Sequence, residues 1–91
     1  IYGASKGAVD VLTRTWAAAF APRGITVNGV APGVIETEGL RTNMSPEALK
    51  AFAAPFGRMG QPQDVADLAA FLAGPQGGWI TGQTIETTGG A

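Results

Sequence analysis

Two residues at the start of the chain have types and a spacing that suit proton transfer. Tyr2 and Lys6 are four positions apart, and on an α-helix such residues lie one turn apart on the same face. A free tyrosine titrates near pH ~10, which is too high for a general base at neutral pH. A neighbouring ammonium favours the phenolate and so lowers the tyrosine pKa. The same spacing also fits a half-buried ring beside a solvated lysine.

The composition restricts the chemistry that the chain can perform. The 91 residues contain no cysteine and no histidine, which excludes disulfides, thiolate nucleophiles and nearly every type of zinc site. Acid–base chemistry must therefore use tyrosine, lysine, aspartate or glutamate. Glu36 and Glu38 could form a carboxylate pair, but a solvated loop is the favoured interpretation. No metal site is expected.

Charge and hydropathy indicate which partners to expect. The formal net charge is -1, and charged residues make up 14% of the chain. This balance gives no electrostatic field for nucleic acid or an anionic membrane. The sequence has no stretch of about 18 apolar residues and no signal-peptide pattern. We therefore expect no nucleic-acid partner, no membrane partner and a cytoplasmic protein.

A helix is the first element that must position the two candidate residues. Apolar residues recur at the i, i+3, i+4, i+7 spacing over residues 4–20, which predicts a helix with one buried face. Asp10 and Arg14 are expected on the opposite side. Because the helix has so little polar surface, a sheet and a second helix should both cover it. Pro22 and Gly24 are predicted to end it.

Two short β-branched segments predict strands, at residues 25–31 and 83–87. The first has few polar groups, as is typical of a strand buried on both faces of a parallel sheet. A loop is predicted over residues 32–44. Two helices should follow, beginning near residues 45–47 and 61–64, each with proline at its first position. The long connection between the strands requires a crossover and parallel pairing, so the fold class is α/β.

Five blocks of the sequence resemble the C-terminal part of the short-chain dehydrogenases/reductases. In family order they are Tyr-Gly-Ala-Ser-Lys at residues 2–6, the segment 24–37 with its Pro-Gly pair, and residues 58–66, 80–83 and 89–90. Together they cover almost the whole chain. The resemblance implies the C-terminal portion of a doubly wound, parallel, Rossmann-like sheet. The implied element order is helix-strand-helix-helix-strand.

The resemblance also implies a domain organisation. Residues 1–91 are expected to be a C-terminal fragment of a single Rossmann-like oxidoreductase domain, with the N-terminal dinucleotide-binding half absent. The family's glycine-rich turn, its substrate-binding serine and its asparagine normally lie upstream of the tyrosine. Cofactor selection also lies upstream, so the implied cofactor is NAD or NADP without a preference.

In this family the chemistry falls to the residues at the positions of Tyr2 and Lys6. Tyr2 corresponds to the general acid/base of an NAD(P)(H)-dependent oxidoreductase, which interconverts a carbonyl and an alcohol in a small-molecule substrate. Lys6 corresponds to the residue that lowers the tyrosine pKa and binds the nicotinamide ribose. The physical argument from their spacing requires the same two residues.

The residues that follow the first predicted strand are expected to contact the cofactor. Pro32 and Gly33 end that strand at its carboxyl edge, where open α/β sheets bind ligands. Glycine there would let the backbone approach a flat ring. By the resemblance, the backbone of Ile35 bonds the nicotinamide carboxamide, and the Thr37 hydroxyl reaches the carboxamide or a phosphate. The alternative is an ordinary turn, with Thr37 in a local backbone bond.

The remaining candidates concern substrate contact and packing. Leu40 and Met44 fall in the segment that covers the substrate in this family, so they are the candidates for substrate contact. Asn28 is expected to bond backbone groups, and Arg58 to tie the last loop to the sheet. Four aromatic residues are expected to pack in the core: Trp16, Phe20, Phe71 and Trp79.

Two hypotheses follow for function. In the first, the chain is part of an active oxidoreductase of full length, and family members are implied to be homo-oligomers, dimers or tetramers. In the second, it is an inactive truncated fragment that self-associates through exposed helix and strand-edge surfaces, because an unpaired strand edge invites association.

Overall fold

The computed structural model describes residues 2–51, 53 and 55–90, except for the side chains of Tyr2, Leu40 and Arg41. Along these residues the elements are α1 (Tyr2–Phe20), β1 (Gly29–Pro32), α2 (Glu38–Asn43), α3 (Pro46–Ala51), α4 (Pro62–Ala73) and β2 (Thr84–Thr87). Single 3-10 turns follow α1, at Ala21–Arg23, and α4, at Pro75–Gly77. The first of these turns ends at Gly24, whose φ of 72° is left-handed, so the predicted helix stop is confirmed.

The two strands form a parallel pair. Gly29 lies opposite Thr84 at one end, and Pro32 lies opposite Thr87 at the other. The connection between them runs through α2, α3 and α4. The predicted α/β class and parallel pairing are therefore confirmed.

The predicted loop over residues 32–44 is wrong, because α2 occupies part of it. Glu38 stands in the first turn of α2, where an acidic side chain suits the positive end of the helix dipole. The Thr42 hydroxyl donates to the carbonyl oxygen of Glu38 at 2.7 Å. Only one of the six residues of α2, Leu40, is apolar and larger than glycine, so hydrophobic periodicity could not reveal it. The observed order thus has one helix more than the predicted one.

The first strand is also shorter than the predicted segment 25–31. The backbone N–H of Val27 donates to the Thr81 hydroxyl at 3.0 Å, and its carbonyl oxygen accepts from the N–H of Gly82 at 2.8 Å. The Asn28 amide donates to the carbonyl oxygen of Ile80 at 2.9 Å and accepts from the N–H of Gln83 at 3.1 Å. These bonds join the segment to the turn before β2 and not to a paired strand, so β1 begins only at residue 29.

Helix α1 packs closely against the start of the sheet. Thr13 and Ala17 are buried in it, at 6% and 4% exposure. A Cβ atom at Gly29 would lie 3.7 Å from the Thr13 hydroxyl, and one at Gly82 would lie 3.4 Å from the Cβ of Ala17. Small residues on both sides therefore let the helix approach the strands.

Helix α4 covers the other face of the sheet. Side chains alternate along a strand, and Val30, next to Gly29, shares a cleft with Ala69 and Leu72 of α4. The helix begins where predicted, with the N–H of Gln61 donating to the Asp64 carboxylate at 2.7 Å. Helix α3 also begins where predicted, and the Ser45 hydroxyl caps it by accepting from the N–H of Ala48 at 3.2 Å.

Arg58 is held at the start of α4. Its guanidinium bonds the Asp64 carboxylate at 2.9 and 3.3 Å and the carbonyl oxygen of Met59 at 2.9 Å. These hydrogen bonds, with the one from Gln61, lower the pKa of Asp64, and the pair raises the pKa of Arg58. The expectation that Arg58 ties the last loop to the sheet is wrong, because its partner is a helix terminus.

The predicted aromatic core does not form within the described residues. Trp16 is 50% exposed, Phe71 44% and Trp79 98%, while Phe20 is half-buried. Helix α1 rests on the sheet, but Val9 and Leu12 are exposed on a neighbouring stripe, so the predicted cover by a second helix is wrong here. The elements that the structure describes offer these side chains too little surface to pack against.

Two further searches cover the described residues only. Among them, no helix is both long and apolar enough to cross a membrane. Within the same part of the chain, no group of three or more potential ligand residues could hold a metal ion. Glu36, one of the two candidate carboxylates, accepts a 2.6 Å hydrogen bond from the Gln61 amide.

Candidate functional site

The carboxyl ends of both strands lie side by side. Pro32 and Thr87 are paired at these ends, and the N–H of Gly33 donates to the carbonyl oxygen of Thr87 at 3.0 Å. This is the edge at which parallel α/β sheets bind ligands. The structure thus places Pro32 and Gly33 where the sequence predicts them.

Gly33 is required by a close approach to the end of β2. A Cβ atom at this position would lie 3.0 Å from the Cα and 3.3 Å from the Cβ of Thr88. Most real Cβ atoms keep a greater distance, so a side chain at Gly33 would push the two segments apart. A flat ligand ring was the predicted reason for this glycine, whereas the close approach in the structure is to Thr88.

Beyond Gly33 the chain is fixed by a parallel bridge between Ile35 and Gly60. The N–H of Gly60 donates to the carbonyl oxygen of Val34 at 3.0 Å, and its carbonyl oxygen accepts from the N–H of Glu36 at 2.7 Å. Because these bonds use the groups on either side of Ile35, its own N–H and C=O point away from Gly60. The bridge therefore does not use the N–H and C=O of Ile35, the groups for which contact with the carboxamide is predicted.

Gly60, the partner of Ile35 in this bridge, was not among the predicted site residues. A Cβ atom there would lie 2.7 Å from the Cδ1 of Ile35 and 3.4 Å from the carbonyl oxygen of Val34. A side chain there would force the end of the Ile35 side chain to move, and it would lie against the carbonyl oxygen that accepts one of the bridge bonds. An isolated glycine between a loop and a helix cap was the signal that could have indicated a close backbone approach.

Lys6 lies in an open groove between α1 and the sheet. The groove is lined by Lys6, Asp10, Ala31, Thr84, Ile85 and Glu86. Ala31 and Glu86 are paired with each other one position before the strands end. Lys6 therefore stands near the same carboxyl edge as Pro32 and Gly33.

Asp10 was expected on the solvent side of α1, and the structure places it against the sheet instead. The Thr84 hydroxyl donates to its carboxylate at 2.7 Å, and Arg14 lies 3.5 Å from its other oxygen. Asp10 lies four residues after Lys6 and three before Thr13, so it shares the helix face on which Thr13 is buried. The i, i+4 relation to Lys6 was the signal that could have indicated this position.

The structure describes the other predicted site residues to different extents. The side chains of Tyr2 and Leu40 lie outside the described residues, although the backbone of Tyr2 begins α1. Thr37 is exposed just before α2, and Met44 is half-buried just after it. Neither of these two lines the groove that holds Lys6, so their contacts with ligands stay predictions.

Comparisons with known proteins identify the family of this chain. The protein-family model described as enoyl-(acyl carrier protein) reductase matches residues 1–91, the whole chain. The chain belongs to the short-chain dehydrogenase/reductase family. The family resemblance and the Rossmann-like fold expected from it are confirmed.

Individual members of the short-chain dehydrogenase/reductase family are also similar. Dehydrogenase OXI1 of Cochliobolus heterostrophus is 40% identical over 97 residues, covering 99% of this chain and 42% of the relative. The promiscuous reductase LugOII, which catalyses keto-reduction at C1 during lugdunomycin biosynthesis, superposes with a TM-score of 0.89 at 42% identity, over 98% of this chain and 36% of that one. The angucycline C-6 ketoreductase LanV, solved with bound NADP, gives a TM-score of 0.84 at 35% identity, over 98% and 35%. The chain thus spans less than half the length of these relatives.

Proposed function

We propose that the protein to which this chain belongs is an NAD(P)(H)-dependent oxidoreductase that interconverts a carbonyl and an alcohol. Tyr2 is its general acid/base, and Lys6 lowers the tyrosine pKa and binds the nicotinamide ribose. The observation that carries the proposal is the place of Lys6, in a groove whose walls include the last paired residues of both parallel strands. Because Tyr2 begins the same helix, one turn before Lys6, the proposal puts its hydroxyl at this edge as well.

The described residues fit a nicotinamide cofactor at this edge. The N–H and C=O of Ile35 point away from its bridge to Gly60, which suits a planar carboxamide that both donates and accepts hydrogen bonds. Pro32 and Gly33 form the adjoining turn, and Thr37 follows it. When bound, the cofactor supplies or accepts a hydride. The chain's own part is to orient the ring and to hold the proton at the Tyr2 hydroxyl.

The substrate is proposed to be a small molecule with a ketone, aldehyde or alcohol group. Two similar structures carry names of enzymes that reduce ketones, and in this chain the proton donor is a phenol, which can protonate a carbonyl oxygen. Leu40 and Met44 belong to the segment around α2, which follows the cofactor-binding turn directly. We assign them to substrate contact.

The test is the replacement Tyr2→Phe in the full-length protein that carries this sequence. Loss of the hydroxyl should lower the rate of carbonyl reduction by about 10²–10⁴-fold, as is typical when a positioned acid/base is removed. The assay follows oxidation of NADH and NADPH with a panel of ketones and aldehydes. Lys6→Met should lower the rate too and should weaken cofactor binding.

Lys50→Met is the matched control for the lysine, because Lys50 lies in the last turn of α3, away from the groove. It should leave turnover unchanged. If Tyr2→Phe retained the wild-type rate with a substrate that the wild type reduces, the assignment of Tyr2 would be wrong.

A second proposal concerns assembly of this chain by itself. Val9, Leu12 and Trp16 form an exposed apolar stripe on α1, and exposed apolar surface of this kind favours association. We propose that the 91 residues, taken alone, self-associate through this stripe and the strand edges, and that the parent enzyme is a homo-oligomer. A well-folded monomer in sedimentation at micromolar concentration would contradict self-association of the isolated chain.

A further inference from the structure

One hydrogen bond joins α1 to β2 beside the proposed catalytic lysine. The Thr84 hydroxyl donates to Oδ1 of Asp10 at 2.7 Å. Asp10 lies one helical turn after Lys6, and all three side chains line the same groove. The bond therefore ties the sheet to the helical turn next to Lys6.

The packing of α1 against the sheet does not by itself fix the rotation of the helix. Further along the helix, Thr13 and Ala17 meet the positions of Gly29 and Gly82. Such contacts between small groups set the distance between helix and sheet, but they are not directional. A hydrogen bond constrains direction as well as distance. The bond at Asp10 thus constrains the rotation of α1 one helical turn after Lys6.

We propose that Asp10 and Thr84 are positioning residues that set where the Lys6 ammonium stands at the carboxyl edge of the sheet. This rests on the proposed role of Lys6 in cofactor binding. The Asp10 carboxylate acts as an acceptor whose second oxygen faces Arg14 at 3.5 Å. Glu86 is the other charged side chain of the groove. A hydroxyl has one proton to donate, so the bond to Asp10 also fixes the orientation of the Thr84 side chain.

The test uses pairs of variants in the full-length protein, matched so that one member of each keeps the bond. Thr84→Val removes the hydroxyl at nearly constant shape, whereas Thr84→Ser keeps it. Asp10→Leu removes the acceptor, whereas Asp10→Asn keeps an acceptor oxygen without the charge. We expect Thr84→Val and Asp10→Leu each to lower kcat/KM about tenfold, the scale of one lost hydrogen bond to a charged acceptor. The Ser and Asn variants should stay within about twofold of wild type, and the Val/Leu double variant should be no worse than either single one.

Two measurements do not depend on turnover. The dissociation constant for NADPH, measured by nicotinamide fluorescence, should rise several-fold in Thr84→Val and not in Thr84→Ser. Amide hydrogen exchange over residues 5–9 should be faster in Thr84→Val than in Thr84→Ser, because the first turns of α1 lose their tie. These results would support the proposal even if Tyr2→Phe disproved the assigned acid/base.

Three results would overturn it. The first is equal amide exchange and equal NADPH affinity in Thr84→Val and Thr84→Ser. The second is a loss in Asp10→Asn as large as that in Asp10→Leu, which would make the charge and not the bond the important property. The third is a comparable loss in Arg14→Gln, which removes the ion pair of Asp10 but leaves its bond to Thr84, and which should otherwise match wild type.

Discussion

The carboxyl edge of the sheet and the exposed stripe of α1 differ in how much they pack against, and hydrogen-bond to, other parts of the chain. At the edge, Gly33 and Gly60 approach neighbouring groups closely, and backbone hydrogen bonds join the segments. On the helix, Leu12 and Trp16 are 43% and 50% exposed. One region has its partners within the described residues, and the other presents apolar surface without enough of them.

This difference shows which part of the site the chain can form from its own contacts. The turn that is proposed to hold the nicotinamide is built from backbone bonds between segments of this chain, such as the bridge of Ile35 and Gly60. Among the described residues, the helix that carries Tyr2 and Lys6 is held on its sheet side, by Thr13, Ala17 and the bond at Asp10. We therefore expect substitutions in the turn that is proposed to hold the nicotinamide to lower stability most. Substitutions in the exposed apolar stripe should mainly change self-association.

The largest effect on stability is expected from Gly33→Ala. Its Cβ would lie 3.0 Å from the Cα of Thr88, so the backbone must shift, and overpacking of this kind costs about 1–3 kcal/mol. Urea unfolding of the full-length protein measures the loss. Gly39→Ala is the matched control, because a Cβ at Gly39 meets nothing within 4 Å and the residue lies in α2. Equal stability of the two variants would show that the edge is less tightly packed than the geometry indicates.

A smaller effect is expected from Leu12→Gln in the isolated chain. Leucine and glutamine have similar helix propensities, and Leu12 is already partly exposed, so the free energy of unfolding should change by about 1 kcal/mol or less. Self-association, measured by sedimentation, should weaken clearly. Val11→Gln is the control, since Val11 is 53% exposed on another side of α1. If both variants weakened association equally, the stripe would not be the contact surface.

The smallest effect is expected from Asp64→Asn at the start of α4. The folded-state pKa of Asp64 is lowered by its bonds to Arg58 and Gln61, so its contribution to stability is complete above the unfolded pKa of about 3.9. It is lost as the pH falls through the lower folded value. The stability difference between wild type and variant should therefore shrink on acidification, as urea unfolding across this range can show. Arg58→Gln should reproduce the same trend, and a difference independent of pH would contradict the assignment.

The sequence predicted those features that local residue patterns determine. The start of α4 follows from its proline and acidic residue, and the end of α1 from Pro22 and Gly24. The parallel pairing follows from the length of the connection. The family resemblance supplied Pro32, Gly33 and Ile35. The structure places Pro32 and Gly33 at the carboxyl edge near which Lys6 stands, and Ile35 in the bridge to Gly60 that follows.

Other features depend on distant contacts and could not be predicted in this way. The strand begins late because Val27 and Asn28 bond to a turn more than fifty residues away. Asp10 faces the sheet because its carboxylate accepts a hydrogen bond from the Thr84 hydroxyl, although the helical spacing predicted it on the opposite side with Arg14. The short α2 lacks an apolar period. The exposure of Trp16 depends on what surrounds the helix, which no local pattern encodes.

The Asn28 side chain also has a consequence for the order in which the molecule assembles. It binds the N–H of Gln83, a partner 55 residues further along the chain. A contact of such long range closes a large loop, and the entropy of closure opposes it before any strand pair can compensate. Helices α1 and α4, whose bonds are local, can form on the fast timescale of helix–coil exchange. The Asn28 side chain can bond Gln83 only when these two distant segments meet, and the bond then fixes the register in which β1 and β2 align.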